Sequence, residues 1–161
     1  MKPGAEAKKK AEAAEAEFKQ GMTLYRSGYY GKALDKLQAA VELDKQNPLY
    51  VAYAGLLVAL AQKNYKVAEE LCHAAVRMNR KEVQSWLNLA EVYIQAGQKG
   101  DAVEALTVGL PYTKRDVRLI RALRKLGVRR PPVFPFLERK HFLNRHIGKL
   151  RHKVLQVLGQ E

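Results

Sequence analysis

Residues 83–109, VQSWLNLAEVYIQAGQKGDAVEALTVG, decide the fold of this chain. The stretch holds two segments with helical periodicity, about 83–96 and from 99 onward, with Gly97 between them. Large apolar residues recur at three- and four-residue intervals in both segments, which is the spacing of one helix face. Small residues at Ala90 and Ala102 allow two helices to approach closely. The stretch therefore predicts two helices joined by a tight turn.

The same arrangement occurs twice earlier in the chain, at intervals of 34 or 35 residues. The second helix repeats through Ala33, Ala68 and Ala102, through Leu37, Cys72 and Leu106, and through Ala40, Ala75 and Gly109. The first helix repeats through Gly21, Gly55 and Ala90, with one extra residue between Gly55 and Ala68. A fixed repeat of this length is typical of stacked helix pairs, in which each pair buries its apolar face against the next.

This repeat resembles the tetratricopeptide-repeat (TPR) family, whose 34-residue unit carries the signature W-x2-L-G-x2-Y…A-x3-F…P. The third unit matches best, through Trp86, Leu89, Ala90, Tyr93, Gly97 and Ala102, with Leu106 at the aromatic position. The chain departs from the signature at Glu17, which takes the tryptophan position of the first unit, and at Lys45, Arg80 and Lys114, which take the late proline position. The resemblance covers about residues 14–114. It implies an all-α fold, a right-handed α-solenoid of three TPR helix-turn-helix units.

The remainder of the chain is organised around these three units. We expect a charged extension of the first helix over 1–13, the units over 14–47, 48–82 and 83–113, a capping helix over 114–126, a proline-rich extended segment over 127–138 and a final basic amphipathic helix over 139–161. Asn47 and Pro48 predict the start of the second unit, because asparagine caps a helix and proline suits its first position.

The capping helix is expected because the last unit of a stacked array would otherwise expose its apolar face. Residues 113–116, Thr-Lys-Arg-Asp, match a capping-box pattern for its start, and Gly127 is suited to end it. Its apolar face is predicted to consist of Val117, Ile120, Leu123 and Leu126, with Arg118, Arg121 and Lys125 on another face.

The TPR resemblance also implies a binding groove lined by the first helix of each unit. The residues that it places there are Phe18, Met22, Tyr25, Leu49, Tyr53, Leu56, Leu60, Leu87, Asn88, Glu91 and Ile94. Some TPR proteins hold a peptide's terminal carboxylate with Lys and Asn at fixed groove positions, but Phe18 and Met22 occupy those positions here. An apolar groove of this kind suits an amphipathic helix or an extended apolar peptide. Alternatively, Leu49, Leu56 and Leu60 pack between repeats, if the extra residue rotates the helix of the second unit.

Positive charge is concentrated in the last third of the chain. The net charge is +13 in total, but residues 1–113 carry 15 Lys and Arg against 13 Asp and Glu, and residues 114–161 carry 14 against 3. The predicted basic surface consists of Arg118, Arg121, Lys125, Arg129, Arg130, Arg145, Lys149 and Arg151. An alternative function therefore follows, in which residues 114–161 bind nucleic acid or an anionic membrane surface.

Two apolar features lie within the basic region. Val133, Phe134, Phe136 and Leu137 lie among three prolines. We expect this segment to dock on the repeats because exposing four large apolar side chains is unfavourable. Leu143, Ile147, Leu150, Val154 and Val157 form an apolar strip on the final helix. That helix could pack on its own chain, pair with a partner helix or a second copy as a homodimer, or present its cations to nucleic acid or membrane.

The sequence predicts no enzyme, no cofactor, no metal site and no small-molecule substrate. Spacings of five and six residues separate His141, His146 and His152, and a helix would not bring them to one face. Cys72 is the chain's single cysteine, so an internal disulfide is excluded. The N-terminus lacks the apolar stretch of a signal peptide, and the expected location is the cytoplasm.

These observations favour a protein-protein interaction scaffold. We expect a cytoplasmic, chaperone-like adaptor that binds a protein or peptide partner in the TPR groove. The chain is similar in repeat number and length to bacterial secretion chaperones, although its basic C-terminal third is not expected of them.

Overall fold

Seven α-helices follow one another in residues 3–127, the part of the chain that the computed structural model describes, with side chains from residue 6 onward. They are α1 (Pro3–Arg26), α2 (Tyr30–Leu43), α3 (Pro48–Gln62), α4 (Tyr65–Met78), α5 (Val83–Gln95), α6 (Lys99–Tyr112) and α7 (Val117–Lys125). Each of the first six packs against the next, and α5 also contacts α3 and α7. The predicted all-α class is confirmed. The predicted proline-rich segment and final helix lie outside the described residues.

The helix boundaries follow from local sequence. The Asn47 side chain accepts a hydrogen bond of 3.1 Å from the Leu49 backbone N–H at the start of α3, with Pro48 in the first turn, as predicted. Gly28 and Gly97 adopt φ of +80° and +76° in the turns of the first and third units. Lys63 takes the corresponding left-handed conformation, at φ +57°, after α3. Because only Gly adopts this conformation without steric cost, the second unit closes its turn under mild strain.

The small residues of the repeat mark the closest helix contacts. Ala33, Ala68 and Ala102 are completely buried, which confirms the prediction that helices cross there. Opposite Ala68 lies Gly55 of α3, where an added Cβ would come within 2.9 Å of the Ala68 carbonyl oxygen. Cys72, one turn after Ala68, is also in the core, and burial raises the pKa of its thiol to about 12.

Replacing Gly55 with alanine is expected to destabilise the fold by about 1–3 kcal/mol. The added methyl group would meet backbone, at the Ala68 carbonyl, and the buried Cys72 sulfur at 2.8 Å, and neither can move aside cheaply. Urea unfolding followed by circular dichroism measures the loss. Gly100→Ala is the matched control, since a Cβ at Gly100 of α6 meets nothing within 4 Å and should stabilise the helix by ~0.5 kcal/mol. Equal effects of the two changes would contradict the packing described here.

The extra residue of the second unit lengthens α3 and does not rotate it. α3 ends seven residues after Gly55, whereas α1 and α5 end five residues after Gly21 and Ala90. The connection to α4 is one residue shorter than in the other units. Gly55 therefore keeps its contact with Ala68, and α3 stays in register with α1 and α5.

The start of α7 differs from the prediction. The hydroxyl of Thr113 donates to the Gly109 carbonyl at 3.0 Å and so belongs to the end of α6. Lys114 and Arg115 both adopt left-handed φ, at +52° and +57°, which is incompatible with a helix beginning at 114. Asp116 is the actual cap and accepts a 2.8 Å hydrogen bond from the Arg118 backbone N–H. The predicted capping box at 113–116 is therefore wrong, and the capping helix begins at Val117.

The buried face of α7 also differs from the prediction. Leu119 is completely buried. Val117, which was predicted to belong to the apolar face of the helix, is 54 % exposed. The face that packs on the array consists of Leu119, Ala122, Leu123 and Leu126. These positions have the i, i+3, i+4, i+7 spacing of a single helix face. The predicted residues are instead three apart throughout: Val117, Ile120, Leu123 and Leu126.

Candidate functional site

Two adjoining cavities lie on the face formed by the odd-numbered helices. The first, of about 500 Å³, lies between α1 and α3 and reaches the start of α5; we call it the aromatic cavity, after Phe18, Met22, Leu49 and Tyr53. The second, of about 470 Å³, lies between α5 and α7; we call it the cationic cavity, after Arg118, Arg121 and Lys125. Gln84 and Arg118 line both cavities, so the two adjoin, and we call them together the groove.

Aromatic side chains form the wall of the aromatic cavity. The Phe18 ring lies 4.8 Å from that of Tyr50 and 5.7 Å from that of Tyr53, measured between ring centroids. Tyr25 meets Tyr53 edge to face at 6.2 Å and continues this wall into the cationic cavity. Burial raises the pKa of both Tyr25 and Tyr53 above its ordinary value, and the two phenol groups can donate hydrogen bonds.

The cationic cavity combines an apolar floor with polar and charged walls. Leu87 and Ile94 of α5 line it, and Ile94 is 39 % exposed. Asn88 is 2 % exposed and accepts a 2.8 Å hydrogen bond from the Gln84 side chain through Oδ1. The Nδ2 atom of Asn88 has no hydrogen-bond partner among the described residues.

Cations outnumber anions along the groove. Lys19, Arg26, Arg118, Arg121 and Lys125 line it, against Glu82 and Glu91. Two of these cations have partners on neighbouring turns, since Lys19 pairs with Glu15 at 2.6 Å and Arg118 with Asp116 at 3.1 Å. The Asp116 contact, chiefly its side-chain hydrogen bond, raises the pKa of Arg118 and lowers that of Asp116.

Most of the residues predicted for the groove line these cavities. Phe18, Met22, Leu49 and Tyr53 line the aromatic cavity, and Tyr25, Leu56, Leu87, Asn88, Glu91 and Ile94 line the cationic cavity. Leu60 lines neither. Leu56 is 2 % exposed and belongs to the main core, although the rotation of the helix that the alternative prediction assumed does not occur. The role of the other residues as ligand contacts stays a prediction.

Arg118, Arg121 and Lys125 of α7 were predicted as part of a basic surface, and in the structure these three side chains line the groove. Adding one 34-residue repeat to the groove positions Gln84, Leu87 and Glu91 gives Arg118, Arg121 and Lys125. The helix α7 therefore occupies the place of the first helix of a fourth unit. Continuing the repeat into 117–125 would have revealed this in the sequence.

Several predicted residues cannot be placed. Arg129, Arg130, Arg145, Lys149 and Arg151 of the basic surface lie outside the described residues, as do Val133, Phe134, Phe136 and Leu137 of the docking segment. Within residues 3–127, no helix is long and apolar enough to span a membrane. Within the same range, no group of three or more His, Cys, Asp or Glu is arranged to hold a metal ion.

Comparison with known proteins identifies the repeat. The family profile described as tetratricopeptide repeat matches residues 59–126. The TPR repeat-containing thioredoxin TTL4 of Arabidopsis thaliana is 27 % identical over 120 residues, which is 68 % of this chain and 17 % of that protein. The chain thus spans about a sixth of the length of this relative.

Solved structures share the fold. The first TPR of Spaghetti (RPAP3), bound to the HSP90 peptide SRMEEVD, superposes with a TM-score of 0.61 at 20 % identity, over 73 % of this chain and 94 % of that one. The type III secretion chaperone SycD of Yersinia enterocolitica, in complex with a peptide of the translocator YopD, gives a TM-score of 0.56 at 20 % identity, over 71 % and 92 %. The predicted TPR solenoid is confirmed as the fold class.

Proposed function

We propose that this chain, whose repeat and fold are of the tetratricopeptide-repeat type, is a protein-interaction module, an adaptor that binds a peptide or helix of a partner protein in the groove of α1, α3, α5 and α7. The partner segment carries apolar side chains that enter the aromatic cavity. The chain acts by holding this segment, and no chemical step is assigned to it.

The observation that carries this proposal is the row of apolar side chains along the groove. Phe18, Met22 and Tyr53 at one end and Leu87 and Ile94 at the other are all incompletely buried and line cavities of about 500 and 470 Å³. Spaces of this size accept large side chains of a bound peptide. Aromatic and Met side chains give such a surface both contact area and adaptability.

Two structural neighbours support the same type of function. The RPAP3 domain holds an HSP90 peptide and SycD holds a YopD peptide, and both superpose on this chain over most of their length. At 20 % identity this likeness transfers the fold and not the partner. Binding of a peptide segment is therefore proposed here, without the identity of the protein that supplies it.

Replacing Met22 and Ile94 together with glutamine is expected to weaken partner binding by ~10-fold or more, because each position loses apolar contact with the ligand. Both side chains line the groove and are partly exposed, so the fold should be preserved. The measurement uses the full-length chain as bait in an extract of the cells that make it, with quantitative mass spectrometry of the retained proteins.

The matched control is the double variant Val67→Gln and Val108→Gln. These residues are also exposed, at 39 % for Val67, but they lie on α4 and α6 and line neither groove cavity. The control should retain the same proteins as the unmodified chain. If the groove variant and the control retain every partner equally, the groove is not the binding surface.

A further inference from the structure

We propose that the partner segment is acidic at one end, and that its Asp or Glu side chains bind in the cationic cavity beside Asn88. This inference rests on the proposed function and specifies the partner of the same groove. Apolar side chains of the segment fill the aromatic cavity, and its carboxylates face α7. The two cavities thereby fix the direction in which the segment lies.

The spacing of the cations on α7 favours several carboxylates. Arg118, Arg121 and Lys125 stand at i, i+3 and i+7, so they share one face of the helix. At 1.5 Å per residue they extend over about 10 Å of that face. One carboxylate cannot contact all three across this distance, whereas a short run of acidic residues can. An Asp or Glu side chain is also the natural partner of arginine, through paired charge-assisted hydrogen bonds.

Arg118 pairs with Asp116, but the anions of the groove form no salt bridge with Arg121 or Lys125. The Glu82 carboxylate accepts a 3.0 Å hydrogen bond from the Gln84 backbone N–H and caps α5. The Glu91 carboxylate accepts a 2.8 Å hydrogen bond from the Gln95 side chain. Among the described residues, Arg121 and Lys125 form no salt bridge within 4.0 Å. Their positive charge is therefore available to a ligand.

Asn88 supplies a second and independent indication. Its Nδ2 donor is buried beside the cationic cavity and has no acceptor among the described residues. An unsatisfied buried donor is unfavourable, and an acceptor that enters the cavity would remove the penalty. Carboxylate oxygens are acceptors only, so they match a cavity lined by Asn88 and three cations.

The sequence of the chain's own C-terminal segment has the same sign of charge as this cavity. Residues 128–161 carry 8 Lys and Arg against 2 Asp and Glu. Placing that segment against Arg118, Arg121 and Lys125 would bring like charges together. An acidic segment of another protein is the complementary ligand.

The test is selection of peptides by the full-length chain from a phage-displayed library of random peptides fused at their C-terminal ends, so that no free terminal carboxylate is offered. The enriched peptides should combine apolar residues with two or more Asp or Glu at one end. The same selection is made with the double variant Arg121→Glu and Lys125→Glu, in which acidic enrichment should disappear. Lys99→Glu with Arg124→Glu is the control, because it changes net charge equally at exposed positions outside both cavities.

The selected peptides are then resynthesised, and their dissociation constants measure how much the acidic residues contribute to binding. Changing their acidic residues to Asn or Gln should weaken binding by ~10-fold or more, since hydrogen bonds to charged groups are replaced by neutral ones. Adding a free terminal carboxylate should have little effect.

The possible results of the selection distinguish a failure of this inference from a failure of the proposed function. Enriched peptides that are apolar but not acidic would overturn this inference and leave the proposed function intact. Acidic enrichment that survives in the Arg121→Glu, Lys125→Glu variant would assign the charge contact to another surface, such as the basic tail, and would also overturn it. Binders obtained only from a parallel library with free C-terminal ends would assign the contact to a terminal carboxylate. Failure to enrich any peptide would count against the proposed function itself.

Discussion

Replacing Trp86 with alanine is expected to destabilise the fold by about 3–5 kcal/mol, a large part of the 5–15 kcal/mol that holds a typical domain together. The indole is 5 % exposed and packs over Gly109, where an added Cβ would lie 2.8 Å from it. Its Nε1–H donates to the Arg80 carbonyl at 2.8 Å, and its ring stacks on Tyr112 at 6.1 Å. Removing the indole thus leaves a cavity between α5 and α6 and an unpaired carbonyl. Urea unfolding followed by circular dichroism measures the loss.

The control for this prediction is Trp86→Phe. Phenylalanine keeps an aromatic ring over Gly109 and against Tyr112 but cannot donate to Arg80. Its loss of stability should be clearly smaller than that of the alanine variant. If the two variants were equally stable, the stacking and burial of the indole would not hold the third unit together.

Replacing Leu56 with glutamate is expected to cost on the order of 3–5 kcal/mol, because it removes a core side chain and takes a carboxylate out of water. Leu56 is 2 % exposed and in contact with the main core. Burial raises the pKa of such a carboxyl group, so the loss should be full at neutral pH and smaller in mild acid, where the group is protonated in the folded protein. Thermal unfolding at two pH values measures both effects.

Tyr53→Glu is the matched comparison, three residues earlier on the same helix. Tyr53 is partly exposed at the aromatic cavity, so a carboxylate there stays hydrated, and the expected loss is about 1–2 kcal/mol from the ring contacts. If the Leu56→Glu variant were as stable as the Tyr53→Glu variant, the side chain at position 56 would be open to the groove and not buried in the core. Because Leu56→Glu acts on folding, only Tyr53 of this pair is suited to tests of binding.

The array could be predicted because its repeat is carried by residues that cannot easily be exchanged. Gly55 and Ala68 meet where backbones touch, and a larger side chain at either position would clash. Such residues recur at 34- or 35-residue intervals, so three units were visible without a structure. The start of α3 was equally clear, since Asn47 and Pro48 act locally.

The end of the array was harder to predict because two residue patterns competed there. The capping-box pattern at 113–116 favoured an early helix start, but the left-handed conformations of Lys114 and Arg115 and the cap at Asp116 shift the start to Val117. That shift decides which face of α7 is buried. With Leu119 in the core, Arg118, Arg121 and Lys125 line the groove. The predicted apolar groove is therefore an aromatic cavity beside a cationic one.

The individual contacts of the groove depend on tertiary packing and were only partly predictable. The TPR resemblance assigned Leu56 and Tyr53 to the same lining, yet α3 packs against α2, α4 and α5, and Leu56 is buried while Tyr53 is partly exposed. The depth of a side chain in a central helix is set by its neighbours, which one sequence does not reveal.

The central claim, that the groove of α1, α3, α5 and α7 is the binding surface, is tested most directly by methyl NMR of the three methionines. Met22 lies in the aromatic cavity, Met78 ends α4 outside both cavities, and Met1 lies outside the described residues. Titration of the full-length chain with a selected acidic, apolar peptide is predicted to shift the Met22 methyl signal to saturation and to leave that of Met78 unchanged. Binding that shifts Met78 and not Met22 would contradict the claim.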